Sequence, residues 1–319
     1  MKILETKIIN KYLKSLTLKN KNSLKLKDDV YYDFKKKFVF STDTFEEGLH
    51  FLNSSHPKKF VKKIFRSSVS DVLCKGIYPE IYFLSLSLKK INNKLLNIFT
   101  KEFKKESIKF GLSLGGGDII NSSKLTISIS VLGFTKKKPI LRSTARINDD
   151  IYVTGNLGDS YLGLLTLKKQ LNAGKLNNYF KNSYEEPKLP FKLTSHLHNF
   201  ASSSMDISDG LVNDLKSICS SSKCGAHIDF LSLPFSNSAK KIFNTQKITP
   251  ADIFSKGDDY QVLFTANQKF RELINLTSRR TATKITRIGK IFKDKSVKIL
   301  KDGKLLHFSS SKTGYIHRF

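Results

Sequence analysis

The chain has 319 residues and a formal net charge of +29, from 56 Lys and Arg against 27 Asp and Glu. No run approaches the roughly 18 consecutive apolar residues that a membrane-spanning helix requires, and the start of the chain lacks an apolar signal core, so we expect a cytoplasmic protein with no membrane partner. The charge would suit a nucleic-acid-binding protein, but short lysine runs are scattered along the whole chain without a nucleic-acid-binding motif, and we predict no specific nucleic-acid partner.

Hydrophobic periodicity predicts interleaved strands and helices in the first half. Apolar and polar residues alternate over 124–134 (KLTISISVLGF), which is the period of a half-buried strand. Apolar residues recur at spacings of three and four over 60–76 and 93–110, which predicts two helices. Three shorter apolar runs predict companion strands: FVF, IYFLSLSL and GLSL.

The second half follows a polar, turn-rich segment at Thr144–Asp150, where we place a domain boundary. The stretches 151–171 and 205–222 each predict a strand, a turn and a helix, and 296–308 predicts a hairpin that turns at Asp302-Gly303. Strands are also predicted in AHIDF, YQVLFTA and KITRIGKIF. We therefore predict two domains that both combine helices with strands, residues 1–145 and 146–319.

Asp residues stand repeatedly where apolar runs stop, although the chain has few acidic residues. Taken singly, each can be explained as a helix cap or a turn residue. As a set, they can converge at one edge of a sheet and hold several Mg²⁺ ions, because Mg²⁺ takes oxygen ligands and keeps positions for substrate phosphates. Spacing alone leaves both explanations open. The residues concerned are Asp28, Asp29, Asp43, Asp71, Asp118, Asp206, Asp209, Asp258 and Asp259.

Three consecutive glycines, Gly115 to Gly117, follow a short predicted strand. Such glycines can let the backbone approach a phosphate, although a tight turn is the commoner cause. The chain has no Walker loop, no protein-kinase glycine loop and no GxSxG elbow, which argues against P-loop enzymes, protein kinases and serine hydrolases.

Six sequence blocks carry a resemblance to a known family, from the DDV that begins at Asp28 to the end of the chain. The blocks are STDTFEEGLHF, SVSDVLCKGIYP, GGDIINSSKLTISISVLGF, LRSTARINDDIYVTGNLGDSYLGL, MDISDGLVNDL and SKGDDYQVLFT. In their order and approximate spacing they resemble the thiamine-monophosphate kinase family, which lies within the aminoimidazole ribonucleotide synthetase-like superfamily.

This resemblance implies a phosphotransferase that uses ATP as co-substrate and converts thiamine monophosphate to thiamine diphosphate with several Mg²⁺ ions. It implies an α+β (mixed α/β) fold of two domains, in which the N-terminal domain forms a β-barrel with a second copy of the chain and the C-terminal α+β domain packs beside it. A homodimer is therefore expected. No catalytic general base is expected, because the acceptor is a phosphate oxygen that is already anionic.

The resemblance also implies roles for individual residues, by their position in the matching blocks. The metal ligands would be Asp29, Ser41, Thr42, Asp43, Asp71, Asp118, Asp206 and Asp209. The ATP contacts would be Gly117, Asp118, Arg142 and Ser208. The thiamine monophosphate contacts would be His50, Asp258 and Tyr315.

The sequence departs from the family's pattern at four places, and none of them removes an implied metal carboxylate. Lys25-Leu26-Lys27 stands where the family usually has Gly-Ile-Gly, and Ile119-Ile120-Asn121 stands where it tends to have Thr-Thr-Arg. Lys256 replaces a common Gly, and Gln261 replaces a Glu. We expect these changes to affect rate and nucleotide affinity more than the presence of activity.

Two alternatives remain at this point. The chain could be another ATP-using small-molecule enzyme of the same superfamily, although it lacks the catalytic Cys or glycine-rich loop that the selenide- and thiol-modifying members lead us to expect. It could also be a basic nucleic-acid-binding protein or an inactive relative, which the charge and the altered residues 119–121 would favour. An assay of ADP release with thiamine monophosphate separates these classes.

Overall fold

A computed structural model describes residues 5–52, 56–88 and 92–306. Within these ranges the chain forms two mixed sheets, one of five strands and one of seven, with helices packed against both. None of the helices described combines the length and apolar character that a bilayer crossing requires.

The five-stranded sheet belongs to the first half of the chain, and its strand order is β1-β2-β5-β3-β4. Neighbouring strands are antiparallel except β3 and β4, which are parallel. Its strands are β1 (Tyr31–Asp33), β2 (Phe38–Glu46), β3 (Ile81–Leu88), β4 (Ser113–Asn121) and β5 (Thr126–Phe134). The helices of this half of the chain are α1 (Glu5–Ile8), α2 (Pro57–Leu73) and α3 (Asn93–Phe110).

One face of this sheet is buried under α2 and α3. Val39 and Ile127 from the strands and Phe65 and Phe103 from the helices belong to one apolar core. The opposite face is lined by hydroxyls, and Thr42 Oγ1 bonds Ser130 Oγ at 2.8 Å across β2 and β5. Within the described residues the sheet is open, so one chain by itself does not form the closed barrel that the family resemblance implies.

The seven-stranded sheet belongs to the second half, in the order β12-β11-β8-β10-β6-β9-β7. Strands β6 and β9 are buried along their whole length, so this sheet has apolar cover on both faces. Its strands are β6 (Asp150–Thr154), β7 (Ala201–Asp206), β8 (Gly225–Asp229), β9 (Val262–Ala266), β10 (Ile285–Phe292), β11 (Val297–Lys301) and β12 (Lys304–Leu305). Its helices are α4 (Asp159–Leu167), α5 (Asn177–Glu185), α6 (Leu211–Ser222), α7 (Asn237–Thr245), α8 (Pro250–Ile253) and α9 (Arg271–Thr281).

The strands and helices predicted from periodicity are present. The hairpin of β11 and β12 turns at Asp302-Gly303, and both residues have positive φ (50° and 75°), as a two-residue hairpin turn requires. The predicted position of the triple glycine was wrong, because Gly115 to Gly117 lie inside β4 rather than after a strand. A Cβ on Gly117 would lie 1.8 Å from the carbonyl oxygen of Leu84 on β3, so this glycine allows close approach of two strands.

The two halves of the molecule meet where α2 packs beside β7. The ammonium of Lys75, just beyond α2, donates to the carbonyl oxygen of Ser204 on β7 at 2.8 Å. Ser70 on α2 donates to the carboxylate of Asp206 at the end of β7. This junction places the carboxylates of both halves side by side.

Candidate active site

A cavity of about 550 Å³ lies at the junction of the two halves. Asp43 on β2 and Asp71 on α2 line it from the first half. Asp206 at the end of β7, Asp209 in the following loop and Asp258 line it from the second half. The structure therefore brings five of the Asp residues singled out in the sequence to one cavity.

Asp43, Asp71 and Asp206 form a group that we call the open triad, in which Asp206 is buried and the other two are half-buried. Ser41 Oγ donates to Asp71 Oδ2 at 2.5 Å, and Ser70 Oγ donates to Asp206 Oδ2. Oxygens of Asp71 and Asp206 lie within 4.8 Å of each other. Asp206 Oδ1 is buried without a hydrogen-bond partner among the described residues. No Lys, Arg or His of the described chain lies within ion-pair distance of this triad.

The carboxylates of the open triad disfavour one another's charge. Burial and the neighbouring Asp206 raise the pKa of Asp43 to about 6. Burial, Asp43 and Asp206 together raise the pKa of Asp71 well above its ordinary value, and burial raises that of Asp206. A divalent cation would reverse this balance, and a set of carboxylate and hydroxyl oxygens with one unpartnered oxygen fits Mg²⁺.

Asp28 and Asp29 lie beside the triad but have their own counter-charges, and we call these two residues the bridged pair. Lys75 Nζ lies 2.8 Å from Asp28 Oδ1 and forms a second ion pair with Asp29 Oδ2. Arg142 pairs with Asp29 Oδ1 through its guanidinium and donates its backbone N–H to Asp28 Oδ2 at 2.8 Å. One Asp29 oxygen also lies within 4.8 Å of oxygens of two open-triad carboxylates.

Lys75 is completely buried. Burial opposes its charge, but Asp28 and the neighbouring acidic groups outweigh that effect, and the pKa of Lys75 is raised above its ordinary value. The ammonium is therefore favoured over the neutral amine inside the acidic cluster.

A second part of the cavity is built around Asp258 and Lys63. Lys63 Nζ, on α2, lies 2.8 Å from Asp258 Oδ1 and 3.3 Å from the centre of the Tyr184 ring. Tyr260 Oη donates to the same Asp258 oxygen at 3.0 Å. Burial lowers the pKa of Lys63, although Asp258 acts in the opposite direction. Tyr184 Oη also donates to the carbonyl oxygen of His50 at 3.2 Å. Tyr184 and Lys63 therefore link His50 to Asp258, the two described residues that the resemblance implies as contacts of thiamine monophosphate.

The loop that carries Asp258 is held tightly against the loop that carries Ser208. The backbone N–H of Asp258 donates to the carbonyl oxygen of Ser208 at 2.8 Å. A Cβ on Gly257 would lie 2.0 Å from that same oxygen, so a glycine is needed for the approach. Both Ser208 and Asp258 consequently face the cavity.

Of the implied site residues that the structure describes, Thr42, Gly117 and Asp118 are not brought into this group. Thr42 borders the cavity, but its hydroxyl bonds Ser130 on the outer face of the sheet. Gly117 and Asp118 lie on β4, and because β5 and β3 separate β2 from β4, about 14 Å of sheet lies between them and Asp43. Tyr315 lies outside the described residues.

Several residues of the site were not singled out from the sequence, chiefly Lys63, Ser67, Ser70 and Lys75. The first three have a signal in retrospect. Together with Asp71 they recur at spacings of four, seven and eight, which places them on one face of α2. Lys75 follows Asp71 by four residues but lies just beyond the end of α2, so helical spacing alone does not place its side chain at the site.

Comparison with known proteins gives a consistent assignment. Residues 27–135 match the model for the N-terminal domain of AIR synthase related protein, and residues 146–302 match the model for its C-terminal domain. Together these two models cover most of the chain.

Individual relatives resemble the chain over nearly its whole length. The thiamine-monophosphate kinase of Buchnera aphidicola subsp. Schizaphis graminum is 34% identical over 321 residues, which cover 98% of both proteins. A solved structure described as AaThiL complexed with AMPPCP and TMP has a TM-score of 0.85 and 28% identity, with 98% of this chain and 97% of that chain covered. The thiamine monophosphate kinase of Aquifex aeolicus has a TM-score of 0.77 and 28% identity, with 92% and 99% covered. The chain belongs to the thiamine-monophosphate kinase family.

Proposed function

We propose that this protein transfers the γ-phosphoryl group of ATP to thiamine monophosphate, giving ADP and thiamine diphosphate. The observation that carries the proposal is the convergence of Asp43, Asp71 and Asp206 in one cavity of a chain that is 34% identical to a thiamine-monophosphate kinase over 98% of its length. A cavity of about 550 Å³ lined by carboxylates suits polyanionic substrates only when cations accompany them.

We propose that Mg²⁺ ions are held mainly by the open triad. Ser41 and Asp209 lie beside it and would add oxygen ligands. Bound Mg²⁺ would screen the repulsion between the two phosphate groups and the carboxylates and would align the groups for in-line transfer.

We assign binding and positioning roles to the other implied site residues. None of them needs to abstract a proton, because the acceptor oxygen is already anionic. Asp258 and His50 would bind thiamine monophosphate, with the Lys63 ion pair and the Tyr184 hydroxyl fixing their positions. Ser208 and the Arg142 guanidinium would contact ATP, since a planar guanidinium suits phosphate oxygens. Tyr315 stays a proposed contact of thiamine monophosphate. The chain's contribution to rate is then positioning and charge complementarity.

We further propose a homodimer built on the five-stranded sheet, with residues 1–145 as the ATP-binding and dimerisation domain and residues 146–319 as the domain that completes the site. The outer face and the edge strand β4 support this, because Leu114, Ile119 and Ile120 on β4 are more than half exposed. Closing this face against a second copy would produce the expected barrel. It would also let Gly117 and Asp118 of one copy approach the cavity of the other.

An assay of ADP release with purified protein, ATP, Mg²⁺ and thiamine monophosphate tests the function. We expect turnover that depends on thiamine monophosphate and is lost in an Asp71→Asn variant that keeps its fold. Release of ADP with another small-molecule acceptor but not with thiamine monophosphate would favour a different enzyme of the superfamily. Absence of turnover with every acceptor, in a folded protein that binds ATP, would contradict the proposal.

A further inference from the structure

The acidic cluster contains a lysine where a metalloenzyme site would be expected to contain only ligands and water. Lys75 has no exposed surface, and its ammonium contacts Asp28, Asp29 and the carbonyl oxygen of Ser204. Burying an ammonium costs several kcal/mol unless carboxylates surround it. These contacts provide that compensation, and they also occupy the carboxylates.

Each oxygen of the bridged pair has a cation or a backbone N–H beside it, although Asp29 Oδ2 has only the Lys75 ion pair and accepts no hydrogen bond from the described residues. Asp28 Oδ1 pairs with Lys75 and accepts from the backbone N–H of Asp29, and Asp28 Oδ2 accepts from the backbone N–H of Arg142. Asp29 Oδ1 pairs with the Arg142 guanidinium, and Asp29 Oδ2 pairs with Lys75. Two carboxylates and two cations make this part of the cluster electrically neutral.

The open triad has the opposite balance. Asp71 and Asp206 accept hydrogen bonds from serines, Asp206 Oδ1 has no hydrogen-bond partner among the described residues, and no cation of the described chain forms an ion pair with any of the three carboxylates. Yet Asp29 lies within 4.8 Å of Asp71 and Asp206, close enough to share a metal ion with them if its own counter-charges were absent.

We propose that Lys75 is a built-in cation of this site: its ammonium holds Asp29 in place of a metal ion, so that the divalent ions of this protein are confined to the open triad and its neighbours. This inference deepens the magnesium-dependent function proposed above and rests on it. It reassigns Asp29, which the family resemblance implied to be a metal ligand, as a ligand of Lys75. Lys75 acts through Asp29 and is a positioning residue.

The test counts bound ions without using turnover. Mn²⁺ serves as the probe, in the absence of nucleotide and thiamine monophosphate, and free Mn²⁺ is measured by electron paramagnetic resonance during titration of the full chain. Met is the chosen replacement for Lys75 because it is unbranched and can fill the buried path of the side chain. We expect Lys75→Met to bind one more Mn²⁺ per chain than the unmodified protein, and Lys75→Met/Asp29→Asn to return to the original number.

Two further variants make the count decisive. Asp29→Asn alone should leave the number of bound ions unchanged, and this arm decides the proposal if Lys75→Met does not fold. Lys63→Met makes the same change at another buried lysine, whose carboxylate partner is Asp258, and should also leave the number unchanged. Circular dichroism and thermal melting establish that each variant is folded.

A folded Lys75→Met protein with no additional ion would overturn the proposal and would leave Lys75 as a structural tie between α2 and β7. Loss of an ion in Asp29→Asn would overturn it too, because Asp29 would then be a metal ligand in the unmodified protein. The result is separable from the proposed function. If the variants bind the expected numbers of Mn²⁺ but the unmodified protein does not phosphorylate thiamine monophosphate, only the proposed function is contradicted. If the unmodified protein turns over and folded Lys75→Met binds no additional Mn²⁺, only the role of Lys75 is contradicted.

Discussion

The bridged pair and the open triad are neighbours made of the same residue type, and they differ in the charges that the chain supplies to them. Asp28 and Asp29 are held by Lys75 and Arg142. Serine hydroxyls donate to Asp71 and Asp206, no cation among the described residues pairs with Asp43, Asp71 or Asp206, and burial raises the pKa of each. Residue type and burial therefore do not identify a metal ligand by themselves, and the counter-charge built into the chain decides between the two roles.

The largest effect is expected from removing one charge of the open triad. Asp71→Asn should lower turnover about 10³-fold or more, because charge stabilisation supplies most of the rate enhancement in phosphoryl transfer. The same change should stabilise the metal-free protein above the ordinary pKa range of Asp. A carboxyl group whose pKa is raised on folding binds protons more tightly in the folded state, so its ionisation destabilises that state as pH rises.

Turnover is measured by coupled ADP release, and stability by thermal melting with and without Mg²⁺. The unmodified protein should be stabilised by Mg²⁺ and the variant much less. Asp29→Asn is the matched change in the bridged pair and should not stabilise the metal-free protein. Near-normal turnover in Asp71→Asn would remove the distinction between the two groups.

The next prediction concerns Asp118, which belongs to neither group within one chain. If the partner copy supplies Asp118, Asp118→Asn and Asp71→Asn chains should each be inactive alone and should recover activity when they are mixed, unfolded and refolded together. Half of randomly assembled dimers are mixed and each mixed dimer has one intact site, so about a quarter of the original activity is expected. No recovery in dimers shown to be mixed would mean that Asp118 does not act across the interface.

A smaller effect is expected at the Lys63 ion pair, on the substrate side of the cavity. Lys63→Met should raise KM for thiamine monophosphate about 10-fold, because one charge-assisted hydrogen bond that orients Asp258 is lost. KM for ATP should change much less. Lys59→Met is the control, since Lys59 lies on the same helix and pairs with Glu185 at the surface. Equal changes in both KM values would indicate a general distortion of the cavity.

The parts of the fold that could be predicted from the sequence are those that local pattern determines. The alternation in 124–134 predicted β5, and Asp302-Gly303 predicted the hairpin turn, because side-chain alternation and turn geometry depend on near neighbours. The position of Asp206 at the end of a strand could also be predicted from the local sequence. The position of the triple glycine relative to its strand was predicted wrongly, because the close approach of β4 to β3 at Gly117 is a non-local contact.

The counter-charges of the site could not be predicted for the same physical reason. Lys75 is one lysine among many in the chain, and only the fold brings its ammonium to Asp28 and Asp29. Lys63 reaches Asp258 from the other half of the molecule. A motif indicates which carboxylates are present, whereas the cations that neutralise some of them come from distant positions that no short pattern connects.

The smallest expected effect lies in the loop that leads into the bridged pair, where Lys25-Leu26-Lys27 replaces the glycine-containing sequence usual in the family. Leu24, Lys25 and Leu26 have φ values of 51°, 61° and 55°, a region that costs a side-chain-bearing residue about 1–2 kcal/mol. Lys25→Gly should therefore stabilise the protein by about 0.5–1 kcal/mol in urea unfolding, after the entropy cost of glycine is subtracted. Lys27→Gly is the control, because Lys27 has a φ of −121° and gains nothing from glycine. If both substitutions destabilise the protein equally, the loop is not strained. If Lys25→Gly also changes the number of bound Mn²⁺ ions, the conformation of this loop contributes to holding Asp28 and Asp29 against Lys75.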